Sequence, residues 1–138
     1  MNKLNIYLSG CVRNTYGEFQ DWRDKCFDYA QYYNNLHFID PIKVFNYTDK
    51  KPKTNKQCLD LFMYMIEKSN ILLINLDYTD SSCGSLAEIE HAYCCRIPII
   101  GFGKNKMTWY NWAEARCSII FEDLEEAIAY ISNTYGVI

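Results

Sequence analysis

The chain has 138 residues, is 49% hydrophobic and 16% aromatic, and carries a formal net charge of −3. That length suits one domain with a full core, and that composition argues against a disordered chain. The slightly acidic balance, with its lysines and arginines scattered, offers no track for a nucleic-acid backbone.

Leu4–Ser9 is a short apolar run that ends in Gly10 and reads as a first strand. Residues 19–33 place Phe19, Trp22, Cys26, Phe27, Ala30 and Tyr33 at helical spacing. Residues 37–39 form a second strand, stopped by Asp40-Pro41, and the polar stretch 44–54 reads as a loop. The basic cluster Lys50, Lys51, Lys53 and Lys56 is read as solvated. A helix over 55–69 leads into the unbroken apolar run 71–76, as expected of a central parallel strand covered on both faces. After a polar loop at 77–83, a helix over 84–95 is capped near Ser82, with Leu86, Ile89 and Tyr93 as its apolar stripe. A fourth strand at 97–102 is closed by Gly103, and a Trp-rich turn or short helix occupies 107–116. A fifth strand at 118–121 precedes a last helix over 124–133, with Glu122 and Asp123 at its positive end. Strands alternating with helices predict a single flavodoxin-like, Rossmann-like α/β domain over residues 1–138. Its sheet is five parallel strands in order 2-1-3-4-5, with helices on both faces.

The seven cysteines include no Cys-x-x-Cys pair, and His37 and His91 lie far apart, which argues against a zinc site. No metal or organic cofactor is expected. The beginning lacks signal-peptide layout, and no apolar run approaches the roughly 18 residues that span a bilayer. The expectation is a cytoplasmic protein with reduced thiols and no membrane partner.

Residues 81–92 read Ser-Ser-Cys-Gly-Ser-Leu-Ala-Glu-Ile-Glu-His-Ala, directly after the third strand. This sets Glu88 and Glu90 on the first turns of a helix above a strand's C-terminal end, where ligands bind in open α/β sheets. Two residues apart, the carboxylates cannot enter one pocket from one helix. Glu88, on the flank of the apolar stripe, is the candidate nucleophile or base, and Glu90 belongs to a solvated face.

The order of motifs resembles the nucleoside 2-deoxyribosyltransferase family and its relatives, the 2′-deoxynucleoside 5′-monophosphate N-glycosidases. The carrying residues are Tyr7, Gly10, Cys11 and Arg13 in the first strand and loop, then Ser82, Gly84 and Glu88, then Arg96-Ile97-Pro98-Ile99-Ile100. The resemblance implies that Glu88 attacks or stabilises an oxocarbenium-like sugar as the N-glycosidic bond breaks. It implies that Tyr7 positions Glu88 or closes the sugar site, although a core strand tyrosine is an equal reading. Gly10 would let the backbone approach the ligand, and Cys11 stands where the hydrolases carry Ser. Ser82 and Arg13 follow the hydrolase pattern, where hydroxyl and guanidinium donate to a 5′-phosphate. Ser82 as a plain helix cap and Arg13 as a surface charge are the competing readings. Phe62 falls where the family carries a sugar-binding Asp, with Asp60 two residues away as the candidate substitute. Asp77 and Asp80 read as loop residues, with a ribose or base contact as the lesser alternative. Trp109 and Asn111 are base-site candidates, but the stretch around them reads first as an interface in a homodimer or larger homo-oligomer.

The expected partner is thus a small nucleoside or nucleotide rather than a nucleic-acid polymer. Two other readings stay open: a non-catalytic nucleotide-binding or sensing module, and NAD glycohydrolase chemistry of the TIR-like kind.

Overall fold

The computed structural model describes residues 3–11, 21–47, 54–77, 79, 82–104 and 108–138. Five strands, β1 (Leu4–Ser9), β2 (Leu36–Ile39), β3 (Ile71–Asn75), β4 (Ile99–Phe102) and β5 (Ile119–Phe121), form one sheet. All its pairings are parallel and its order is β2-β1-β3-β4-β5, as the sequence predicts.

Strand side chains alternate between faces, and this divides the core in two. Ile6, Leu8, Ile71 and Leu73 face α1 (Asp21–Tyr29) and α6 (Leu124–Thr134). Tyr7, Leu72 and Ile74 face the other way, towards α3 (Asn55–Glu67), α4 (Cys83–Cys94) and α5 (Tyr110–Glu114). Both faces are covered, which explains the unbroken apolar run of β3.

Three boundaries differ from expectation for identifiable reasons. Residues 44–54 were expected as a loop, but α2 (Pro41–Tyr47) occupies the first part of that stretch. An Asp40 Oδ1 accepts from the Ile42 N–H at 3.0 Å, and Pro41 is suited to a first helical turn. The Asp-Pro pair therefore starts a helix as well as stopping a strand. Helix α1 ends at Tyr29, where i→i+3 bonds from Gln31 to Asp28 and from Tyr32 to Tyr29 tighten the chain into a turn. Its expected start at Phe19 lies outside the described residues. Strand β4 begins at Ile99 because Arg96 takes the left-handed conformation (φ 60°) and Pro98 has no N–H to give. Among the described residues no helix is long and apolar enough to cross a membrane.

Two glycines near the sheet's C-terminal edge behave oppositely. Gly10 has φ +155°, and a Cβ there would meet Trp22 Cζ2 at 3.2 Å and Asn75 Cβ at 3.4 Å. A Cβ on Gly84 would meet nothing within 4 Å. Gly10→Ala should therefore cost about 1–3 kcal/mol, whereas Gly84→Ala should be neutral or gain up to about 1 kcal/mol. Urea unfolding of the two variants beside the parent chain checks this ordering.

Candidate active site

The order β2-β1-β3 makes the gap between β1 and β3 the topological switch point, and a crevice opens outside the strand ends there. It is a cleft of about 170 Å³. Tyr7 and Gly10 come from β1 and its end, Arg23 from α1, and Ser82, Gly84, Ser85 and Glu88 from α4 and its cap. Pro41, Ile42, Leu59, Phe62 and Met63 build an apolar wall from α2 and α3. Three larger hollows among the described residues, about 560 Å³ beside Arg96 and Arg116, about 760 Å³ near Ile138 and about 450 Å³ beside Glu125, are open surface depressions with no buried carboxyl in their lining.

The start of α4 is fixed by Ser82. Its backbone is extended, and its Oγ accepts from the Ser85 N–H at 3.2 Å and is hydrogen-bonded to the Ser85 hydroxyl at 2.8 Å. Ser85, Ile89 and Ala92 then form the buried stripe. The expected stripe of Leu86, Ile89 and Tyr93 is corrected by this, since Tyr93 is half exposed. Counting apolar residues alone rotated the helix, because Ser85, a polar residue, is among the most buried on it. The corrected rotation aims Glu88 at the sheet.

Beneath Glu88 lie Tyr7 and Ser9, alternate residues of β1 and so on one face. Ser9 Oγ donates to Glu88 Oε1 at 3.2 Å. The fully buried Tyr7 hydroxyl faces the same carboxyl without closing a hydrogen bond of normal length and angle. Burial, followed by the Glu88 charge, pushes the Tyr7 phenol far above its ordinary range. Glu88 keeps some accessible surface on the cleft side, but its carboxyl is enclosed by protein. That burial raises Glu88 to about 7, against the pull of the Tyr7 and Ser9 hydroxyls and the Arg23 charge.

Arg23 escaped the sequence reading. Its side chain is 1% exposed, yet Nη2 donates to the Gly10 carbonyl at 3.2 Å and Nε stands 3.7 Å from Asp40 Oδ1. The guanidinium also lies 4.6 Å from the centre of the Trp22 ring. Burial lowers its affinity for a proton, and Asp40 and then Glu88 restore it. Nothing local in the sequence announces this residue, because its partners come from other elements.

Of the residues singled out from the sequence, Glu88, Tyr7, Gly10, Ser82 and Gly84 converge on the cleft. Cys11 is buried beside Gly10 but outside the lining. Arg13 and Asp80 lie outside the described residues. Asp60 is exposed, held by Lys56 Nζ at 2.8 Å, and does not reach the cleft, whereas Phe62 and Leu59 of the same helix do. Trp109 and Asn111 are exposed at the start of α5, also away from it. Asp77 ties two loops together, accepting from the Lys104 N–H at 3.1 Å. Glu90 points away from the cleft and pairs with Arg116, whose guanidinium stacks 4.1 Å from the Trp112 ring centre.

No family model matches the chain, and no curated protein sequence matches it. Its fold is shared with solved structures. A 2-deoxyribosyltransferase of Bacillus psychrosaccharolyticus aligns with TM-score 0.73 at 14% identity over 88% of each chain. A 2-deoxyribosyltransferase of Leishmania mexicana aligns with TM-score 0.69 at 12% identity over 96% of this chain and 99% of its own. A CMP N-glycosidase of Clostridium botulinum aligns with TM-score 0.58 at 11% identity over 94% of this chain and 98% of its own.

The burial of Glu88 links stability to pH. Unfolded, it titrates as an ordinary glutamate; folded, it keeps its proton up to about 7. The folded state therefore binds the extra proton, and that stabilisation, complete below the unfolded pKa, is lost as pH rises through about 7. Allowing for water that reaches the carboxyl across the cleft, the loss is about 2 kcal/mol. Glu88→Gln carries no charge at any pH. It should exceed the parent chain by roughly that amount at about pH 8 and match it near about pH 4, as read by urea unfolding at both values.

Proposed function

We propose that this chain cleaves or transfers at the N-glycosidic bond of 2′-deoxynucleosides or their 5′-monophosphates, with Glu88 as nucleophile. The observation that carries this reading is the one carboxyl among the described residues of the cleft lining, Glu88, buried at the switch point and held by Ser9. The resemblance of the Ser82, Gly84 and Glu88 spacing supports it, as does the fold shared with two deoxyribosyltransferases and a nucleotide N-glycosidase.

In this reading, ionised Glu88 attacks the anomeric carbon as the carbon–nitrogen bond breaks. The bonding pair leaves with the base nitrogen, which takes a proton from water. Water or a second base then attacks the same carbon, and Glu88 departs as carboxylate. Water completes a hydrolysis; a second base completes a transfer. Ser9 holds the carboxyl in place with the Tyr7 hydroxyl facing it, and the low dielectric around it strengthens its hold on a positive sugar.

The start of α4 suits the sugar's 5′ end. Ser82 presents a hydroxyl there, Gly84 leaves space, and the helix N-terminus favours an anion. Arg13 would complete a phosphate site in this reading. The apolar wall of Ile42, Leu59, Phe62 and Met63 takes the flat base or the sugar's carbon face, and offers no partner to a 2′-hydroxyl. A homo-oligomer joined near the exposed Trp109 is part of the same reading.

One observation favours a second reading. Asp60 turns to solvent and Phe62 fills the wall, so a nucleotide-binding module without turnover is the rival.

The test is to incubate the protein with deoxynucleosides and deoxynucleoside monophosphates, with and without a free acceptor base, and to follow free or exchanged base by chromatography. We expect turnover that falls on the order of 10³-fold or more in Glu88→Ala. The rate should rise as pH passes about 7, where Glu88 ionises. Ligand binding without turnover in either protein would leave the binding module, and nicotinamide released from NAD would give the TIR-like activity instead.

A further inference from the structure

Away from the cleft, three donors of different chemistry meet where two helices end. Glu67 is the last residue of α3, and His91 and Cys95 stand four apart at the end of α4, on one face of it. His91 Nε2 lies 3.0 Å from Glu67 Oε1 and 3.7 Å from Cys95 Sγ. All three ligand atoms fall within 4.8 Å of one another. Nothing local in the sequence announces this set, because Glu67 precedes His91 by 24 residues.

The geometry points to a binding site for a borderline divalent cation, zinc in particular, held by Glu67, His91 and Cys95. Oxygen, nitrogen and sulfur ligands about 2.0–2.3 Å from a tetrahedral zinc stand about 3.3–3.6 Å from one another. The observed separations from His91 bracket that spacing, so small side-chain rotations seat the ion. Carboxylate and thiolate supply two negative charges against the ion's two positive ones, and the thiol proton leaves to solvent on binding. The C-terminal ends of α3 and α4 both turn their negative poles to this spot. Glu67 and Cys95 are exposed, so the ion has a way in, and water fills the fourth position. The neighbouring Cys94 is directed elsewhere, its thiol 3.8 Å from Glu90 Oε1. A bound ion would staple α3 to α4, the helices that carry the apolar wall and the buried carboxyl of the cleft.

Tag-free protein is titrated with zinc by calorimetry and with cobalt(II) in the spectrometer. We expect one ion per chain, a near-ultraviolet thiolate-to-cobalt band with visible bands of tetrahedral intensity, and an upward shift of Tm on zinc addition. Cys95→Ser should abolish the thiolate band, and His91→Gln and Glu67→Gln should each weaken zinc at least about tenfold. Cys94→Ser should leave all three readouts unchanged. These are surface positions, and circular dichroism of each ion-free variant confirms that it is folded. No stoichiometric zinc, a cobalt spectrum without the thiolate band, or a band that survives Cys95→Ser would overturn the site.

Discussion

A carboxyl moved from water into protein must recover in contacts what it loses in hydration, or keep its proton. Glu88 does some of each. One Ser9 bond, a facing phenol and the Arg23 charge offset part of the cost, and the remainder appears as a carboxyl raised to about 7. The surrounding elements serve this compromise. The Ser82–Ser85 cap sets the rotation of α4, the alternation of β1 brings Tyr7 and Ser9 to one face, and Gly10 lets the strand end pass close under Trp22. In the function proposed above, this tension between burial and stability is what an acid or nucleophile requires.

The charges around the cleft form a chain rather than a pair. Arg23 is committed to the Gly10 carbonyl and lies near Asp40, and Asp40 at the same time caps α2. One buried guanidinium thereby joins α1, the end of β1 and the start of α2. Removing it would leave Asp40 without its buried counter-charge and Glu88 without a cation that favours its ionised form, so its role is as much architectural as electrostatic.

What could be read from the sequence follows the physics of each feature. The strands were legible because both faces are covered, which leaves unbroken apolar runs such as β3. The parallel doubly wound sheet followed from alternating elements, and the flavodoxin-like order expected of it placed the cleft at the switch point. Glu88 stood out because it is acidic at a place where ligands collect. Features that depend on partners distant in sequence stayed hidden. Arg23 looks like any helical cation until Asp40 and Gly10 are folded against it. Ser85 looks solvated until its hydroxyl meets Ser82. Asp60 and Phe62 differ by two places on one helix, and only the helix's actual rotation shows that the aromatic residue meets the cleft and the acid meets Lys56.

The placement of Tyr7 and Ser9 on the middle of a doubly paired strand has a further consequence. Tyr7 is matched to Ile39 on one side and Leu72 on the other, so β1 cannot slide without breaking two ladders. A slip of one residue would present Leu8 to the carboxyl and bury both hydroxyls among aliphatic side chains. In the proposed function, the acid's immediate surroundings are thus inherited from the pairing of the sheet, while the segments that would shape recognition, α2, α3 and the start of α4, lie outside it. Lengthening or rewriting those segments can change which molecule is accepted and leave the acid undisturbed. The two properties can drift apart over evolutionary time, so chains with little sequence in common can keep one reactive centre and serve different molecules.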